Sequence, residues 1–296
     1  MEMRSIGHLR VGAIALGGSD WSIRAVDPGL VEQTVNAALD AGVTLIDSAH
    51  VYTTPDEEAH NERLIARILG RRERAAPAVV ATKGGHYRDG DDFGFDGRPE
   101  TIVRHCETSL RALGVECIEL YQLHCPDPRV PVAETMGAFA ELRSAGKIRQ
   151  VGVCNVTFAE LEEARQVVPI ASVQNHLSPW AGEAAFRPPG AAPAGDHEVL
   201  ATCTAEGIAF LAYAPFKGPF GAAGERADGL PGIDAVARER GVSRQQAILA
   251  WLLAQGPTVI PVVGANRPAS IADSAAAATL RLSADDLRRI ADPVAA

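Results

Sequence analysis

The sequence is poor in aromatic residues, at 5%. Aliphatic side chains and alanine must therefore fill its core. It is also poor in positive charge, with 28 Lys and Arg against 37 Asp and Glu, a formal net charge of −9. That balance argues against a general binder of nucleic acid or of an anionic membrane surface. The five cysteines (Cys106, Cys117, Cys125, Cys154 and Cys203) are odd in number and show no CxxC spacing. A disulfide framework or zinc knuckle is disfavoured, and a reducing, cytoplasmic compartment is expected. No run approaches 18 apolar residues, and MEMRSIGHLR lacks the apolar region of a signal peptide, so neither a span nor a leader is expected. No P-loop or HExxH occurs. The first apolar run ends in Leu16-Gly17-Gly18-Ser19-Asp20-Trp21, which lacks the GxGxxG spacing of a doubly wound dinucleotide fold.

What is present is an alternation of two periods. Short apolar runs read as buried parallel strands at Val11–Leu16, Val43–Asp47, Ala78–Thr82, Ile118–Leu123, Ile148–Val153, Ala171–Gln174, Ile208–Ala212 and Val259–Val262. Between them lie helical spacings, such as Val31, Val35, Ala38 and Leu39, or Val132, Met136, Phe139 and Ala140. Asp27 before Pro28 reads as a helix start, Thr157 with Glu160 and Ser283 with Asp286 as capping boxes, and Gly42, Gly70, Gly114, Gly146 and Gly207 as helix ends. Eight strand–helix units in 296 residues give about 37 residues each. The expected fold is α/β, a (β/α)8 TIM barrel spanning 1–296 as a single domain, with its active site at the C-terminal rim of the strands.

Polar residues end three successive strands: Asp47, Lys83 and His124. In a parallel barrel they converge on one rim, which Tyr52, five residues past Asp47, can also reach. A free phenol has a pKa near 10, and a neighbouring lysine cation is expected to lower it. Aspartate offsets the cost of burying that cation, and a histidine can orient a carbonyl by hydrogen bonding. Such a set moves one proton at a carbonyl or alcohol oxygen. It holds no activated serine or cysteine. Carbonyl reduction also needs a hydride, which a nicotinamide supplies and side chains cannot.

Asp47-Ser48-Ala49-His50-Val51-Tyr52 followed by Asn61-Glu62 resembles the signature D-[TS]-A-x-x-Y … N-E of the aldo-keto reductase superfamily. Ala81-Thr82-Lys83, Leu123-His124-Cys125-Pro126-Asp127, Val151-Gly152-Val153-Cys154-Asn155, Val173-Gln174-Asn175 and Ala212-Tyr213-Ala214-Pro215-Phe216 resemble its later motifs, in the family's order, from about Gly17 to Leu287. The resemblance implies Tyr52 as general acid in reduction, Lys83 held by Asp47 as its tuner, and His124 as the group orienting the carbonyl. It implies NADP(H), or NAD(H), laid along the rim. Asn155 and Gln174 would bind the carboxamide, Tyr213 would stack on the ring, and Gly17, Gly18 and Gly264 would line the cofactor. Arg267 would meet the adenosine 2′-phosphate, with Asn266 or Ser270 adding hydrogen bonds at a helix N-terminus.

Four positions depart from the pattern. Cys154 replaces the usual serine, Ser270 a longer Arg or Gln, Ser274 an adenine-binding Asn, and Leu177 a frequent aromatic. For the substrate pocket, Trp21, His50, His86, Phe93, Phe95, Cys125 and Trp180 lie in rim loops. Two segments, 84–98 and the Pro- and Ala-rich 186–195, interrupt the rhythm where barrel enzymes build sites. The chain ends soon after its last helix, so an open pocket, or one completed by the 84–98 segment, is expected. The expected partner is a small carbonyl or alcohol, a keto-sugar or aryl carbonyl, and not nucleic acid or membrane. A monomer is expected. The same residues would serve an NAD(P)+-dependent dehydrogenase oxidising a sugar or pyridoxal-type alcohol. A non-catalytic NADPH-binding regulatory subunit on the same barrel is the alternative from another class. A metal-dependent hydrolase using Asp47, His50, His124 and His176 lacks the HxH motif it would need; no metal is expected.

Overall fold

The computed structural model describes residues 1–72, 78–90, 92–180, 198–216 and 230–291, and the backbone of 182–184. The 186–195 segment singled out above lies outside the described residues. The chain opens with an antiparallel hairpin, β1 (Met3–Ile6) and β2 (Leu9–Gly12). The barrel wall then starts at β3 (Ala15–Gly17) and continues through β4 (Leu45–Asp47) and β5 (Val79–Gly84). A second hairpin follows, β6 (His86–Asp89) with β7 (Asp92–Phe95). The wall resumes with β8 (Ile118–Leu123), β9 (Ile148–Cys154) and β10 (Ile170–Ser178). The short β11 (Gly182–Ala184) folds back on β10, and β12 (Ala209–Tyr213) and β13 (Val259–Gly264) complete the wall. Pairing of β9 with β10 and of β13 with β3 closes eight parallel strands into a barrel.

Helices cover the outside: α1 (Ser19–Ile23), α2 (Pro28–Asp40), α3 (His60–Arg71), α4 (Pro99–Leu113), α5 (Val132–Ser144), α6 (Phe158–Val167), α7 (Glu198–Glu206), α8 (Pro231–Arg240), α9 (Arg244–Leu253), α10 (Pro268–Ala276) and α11 (Ala284–Ala291). The caps follow their chemistry. The Asp27 carboxylate accepts from Leu30 N at 2.9 Å before Pro28, and Thr157 and Glu160 form a full capping box. Gly114 ends α4 at φ +68°, a conformation that side chains resist. Gly70 ends nothing, because α3 runs on to Arg71.

One expected strand is not found as such. Val11–Leu16 is not one strand: β2 belongs to a hairpin that plugs the barrel bottom, and only Ala15–Gly17 joins the wall. Ile6, Leu9 and Val11 of the plug pack on Ala15, Leu45, Ala81, Leu120, Leu211 and Ile260 from the wall strands. The buried Arg4 pins the plug by donating to the Gly256 carbonyl at 2.5 Å and the Leu253 carbonyl at 3.2 Å. The 84–98 segment forms the β6–β7 hairpin at the other rim, where the strands' C-terminal ends lie.

The period of two along each strand decides what lies inside. Leu45 and Ala81 face inward, so Asp47 and Lys83, two residues on, face inward one layer higher. Leu120 faces inward, and so does Gln122. Toward the strands' C-terminal ends the interior therefore changes from aliphatic to ionised and polar.

Candidate active site

The barrel register sets this polar layer. Asp47 lies opposite Ala81, Lys83 opposite Gln122, and Gln174 opposite Cys154. Lys83 Nζ donates to Asp47 Oδ2 at 2.6 Å and to the Ser48 carbonyl at 2.8 Å, with both charged side chains buried. Asp47 Oδ1 accepts from Gln174 Nε2 at 2.9 Å and lies 3.5 Å from Gln122 Nε2. Ser172 Oγ in turn donates to Gln122 Oε1 at 3.3 Å. Gly152 leaves room for this layer, since a Cβ there would meet Ser172 Oγ at 2.3 Å. The ion pair is thus satisfied from several sides, which a buried pair requires.

Above it, Tyr52 sits on the loop after β4, its ring centroid 5.3 Å from Lys83 Nζ. The His124 ring meets it edge-on at 5.7 Å. The structure therefore brings Asp47, Tyr52, Lys83 and His124 together. The Asn61-Glu62 pair braces the loop from below. Asn61 Nδ2 donates to the Gly18 carbonyl at 2.8 Å, its Oδ1 accepts from Ser48 Oγ at 2.7 Å, and Glu62 Oε1 accepts from Thr82 Oγ1 at 2.6 Å.

Burial dominates the electrostatics. It pushes the Tyr52 phenol above its ordinary value, and the opposing pull of Lys83 does not reverse this. The expected net lowering is not found, because partial removal of water costs the phenolate more than one already paired cation returns. Burial also works to lower Lys83, but Asp47 outweighs it and the ammonium stays charged. His124 is held well below its ordinary value by burial, then by His86 and Lys83, and is a neutral imidazole. Cys154 beneath them is raised by burial and is an inert thiol.

The cofactor candidates divide into two groups. Asn155, with a left-handed φ of +58°, donates from Nδ2 to the His124 carbonyl at 2.9 Å and accepts from Tyr213 OH at 2.8 Å, so these three form one unit at the rim. Gln174 is engaged with Asp47. Beyond them a cavity of about 510 Å³ is lined by Phe216, Gln245, Gly264, Arg267, Ser270, Asp273 and others. Arg267 is exposed at the start of α10, and its guanidinium forms no ion pair among the described residues. Asp273 is engaged by Ser243 Oγ and Gln246 Nε2, each at 2.7 Å.

Several candidates sit elsewhere. Asn266 turns from the cavity toward α1, with Nδ2 3.4 Å from Asp20 Oδ2. A Cβ at Gly18 would meet Asn61 and Trp21 at 2.9 Å, so this glycine serves packing. Trp21 is wholly buried, its Nε1 donating to the Ala265 carbonyl at 3.0 Å, and is core rather than pocket wall. Phe93 is 48% exposed on the hairpin, under Arg88. Trp180 lies against Arg244 at the start of α9. Cys125 is buried beside His124, and Leu177 is buried in β10. His86 reaches the site, its ring 4.2 Å from that of His124, whereas His50 stacks on His105 and bonds Glu58. Sequence reasoning missed Gln122, Ser172, His105, Glu58 and Gln245. Of these, Gln122 was within reach of the period of two, since it shares its strand's inward face with Leu120. Among the described residues no three His, Cys, Asp or Glu side chains are grouped as metal ligands, and no helix is long and apolar enough to cross a membrane.

An eight-stranded barrel with an acid–lysine–tyrosine–histidine rim defines a class of oxidoreductase. The sequence profile of the aldo/keto reductase family matches residues 8–294, and the chain belongs to that family. It is 30% identical to the aldo-keto reductase str7 of Strobilurus tenacellus, over 98% of this chain and 91% of that one. It is 28% identical to a probable aldo-keto reductase 1 of Glycine max, over 88% and 78%. Among solved structures, the glycerol dehydrogenase AKR11B4 from Gluconobacter oxydans superposes with a TM-score of 0.81 at 26% identity, covering 99% of this chain and 95% of that one. An aldo-keto reductase from Klebsiella pneumoniae solved with NADPH superposes with a TM-score of 0.75 at 23% identity, covering 98% and 94%.

Proposed function

We propose that this chain reduces an aldehyde or ketone to the alcohol with NADP(H), Tyr52 giving the proton. The observation that carries the reading is the buried Lys83 cation, held by Asp47 and Ser48 beneath Tyr52 and facing a neutral His124. The carbonyl oxygen is received between Tyr52 and His124. As negative charge grows on it, the phenol releases its proton, and Lys83 stabilises the phenolate left behind. A phenol raised by burial is a proton donor in its resting state, which suits reduction. The same groups run in reverse for oxidation, with the phenolate as base.

The nicotinamide supplies the hydride when bound. The residues present suit such a cofactor. Asn155 and Tyr213 stand at the catalytic rim, and the 510 Å³ cavity ends at Arg267, which has no ion pair among the described residues, and at the N-terminus of α10, both suited to a phosphate. Arg267 is the reason to favour NADP(H) over NAD(H). The glycerol dehydrogenase likeness supports a small hydroxylated carbonyl or alcohol as the other substrate. Fluorescence titration with NADPH and NADH, followed by a carbonyl panel that includes keto-sugars, tests the reading. NADPH binding tighter than NADH, with turnover of some carbonyl, is expected. Binding of neither cofactor contradicts it, and NADPH binding without turnover across the panel would point to a regulatory subunit.

A further inference from the structure

Four imidazoles crowd the rim beside Tyr52, and the proposed reaction uses one. His50 lies flat on His105 with ring centroids 3.8 Å apart, and His86 lies on His124 at 4.2 Å with planes 25° apart. Three of them have a partner or a task. His50 Nε2 bonds Glu58 Oε1 at 3.0 Å. His105 Nδ1 accepts from Gly85 N at 3.3 Å and holds the corner between β5 and β6. His124 faces Tyr52. The His86 ring forms no hydrogen bond among the described residues; its Nε2 is buried without a partner, as is Nδ1 of His50 and of His124, but His86 has no second ring bond and no part in the proton transfer. Buried polar nitrogens are seldom left unpaired, because each costs the water it gave up.

The ring is also held in place. The β6–β7 hairpin is closed at its base by Asp96 N donating to the Gly85 carbonyl at 2.8 Å. It is tied to the loop after His124 through the buried Asp127, which accepts from Gly97 N at 3.1 Å and grips Arg129. Arg129 reaches on to the Phe95 carbonyl at 2.5 Å, and the Phe95 ring meets His86 edge-on at 4.3 Å. The loop that carries His124 therefore also positions His86.

Charge selects the ligand. Burial pushes His86 and His105 down to about 3 and holds His50 and His124 low as well. Lys83 is engaged by Asp47, and Arg88 donates to the Gly90 and Thr53 carbonyls at 2.7 and 3.1 Å. Among the described residues the cations at the rim, Lys83 and Arg88, are thus already engaged, and Arg104, whose charge reaches His50 and His105, is exposed on α4. A neutral imidazole donates at one nitrogen and accepts at the other, and a hydroxyl matches both. We infer that His86 is a specificity residue that hydrogen-bonds a hydroxyl on the carbon next to the substrate carbonyl, alongside the oxygen received by His124. The inference rests on the reductase reading above and names its substrate class: α-hydroxy aldehydes and ketones, giving vicinal diols.

The test compares hydroxyacetone with its near-isostere butanone, through kcat/KM with saturating NADPH in wild type, His86→Phe and His86→Gln. Intrinsic differences in carbonyl reactivity cancel between enzyme forms. Wild type should prefer hydroxyacetone, and His86→Phe should shrink that preference by about tenfold or more, because a site built to bond a hydroxyl loses its discrimination with the partner. His86→Gln, which keeps a donor and an acceptor, should retain part of it. NADPH titration of each variant verifies that the barrel is folded. An unchanged preference in folded His86→Phe, or in folded His86→Gln should the Phe variant not fold, overturns the inference and leaves the reductase reading standing. If wild type binds NADPH yet turns over neither these nor any other carbonyl, the reductase reading fails first and takes the inference with it.

Discussion

The two ends of the site are built on opposite terms. At the deep end every charge is already paired: Lys83 with Asp47, and Asp47 again with Gln174. At the outer end Arg267 stands exposed with no ion pair among the described residues, on the edge of a cavity. The difference separates two kinds of work. A group that must tune a proton through many turnovers is held by the protein in one geometry. A group that must capture an anionic ligand keeps its bonding capacity for that ligand, at the modest cost of solvent exposure.

Mutations should therefore behave differently at the two ends. The largest effect is expected at the deep end. Lys83→Met removes the cation beneath Tyr52 and leaves the Asp47 carboxylate buried without its counter-charge. Turnover should fall by about 10²- to 10⁴-fold, and stability by about 3–5 kcal/mol in denaturant melts. Adding Asp47→Leu should restore much of the stability and none of the turnover. If Lys83→Met alone kept its stability, the pairing argument would fail. At the outer end Arg267→Ala should weaken NADPH binding by about tenfold, the worth of one charge-assisted hydrogen bond, with NADH binding moved far less and the melt unchanged. Equal loss for both cofactors would show that Arg267 does not read the 2′-phosphate.

A pH experiment sharpens the contrast from a third buried position. Burial raises Glu62 from 4.5 to about 7, against its bond from Thr82. A raised carboxylate pKa means that the folded state holds the proton more tightly. Its contribution to stability is present in full below about 4.5 and is lost as pH rises through about 7, on the order of 3 kcal/mol in all. The lowered histidines His86 and His105 act oppositely, losing stability as pH falls from 6.5 toward 3. Subtracting the Glu62→Gln profile from wild type isolates the carboxylate. A difference that stays flat between pH 4.5 and 7.5 would contradict its burial cost. The smallest effect is expected away from the site: Thr157→Ala should cost about 1 kcal/mol through the α6 cap and leave kcat alone.

The parts of the molecule that could be read from sequence are those where one strand carries its own signal. An apolar run that ends in Asp47, Lys83 or His124 states both a strand and a rim residue. The caps at Asp27, Thr157 and Gly114 were readable because their chemistry is local. What escaped depends on contacts between distant segments. Val11 and Ala15 look like one strand until the plug hairpin separates them. Trp21 has the residue type of a pocket wall, yet a bond to Ala265, distant in the chain, draws it into the core. Asn266 beside Arg267 looks like a phosphate ligand, but its amide turns to Asp20. Glu58 and His105 gain meaning only from the histidines they meet. The balance at Tyr52 is the subtlest case. The direction of the lysine's pull follows from charge alone, and only the folded surroundings of the phenol show that burial exceeds it.

The central claim is that Tyr52 gives the proton over a prepaired cation. Its most direct measurement is kcat of Tyr52→Phe on the best carbonyl substrate, beside NADPH titration of the same protein. Loss of about 10²-fold or more in kcat, with NADPH affinity near that of wild type, is the predicted result. Turnover at the wild-type rate in that variant would contradict the account.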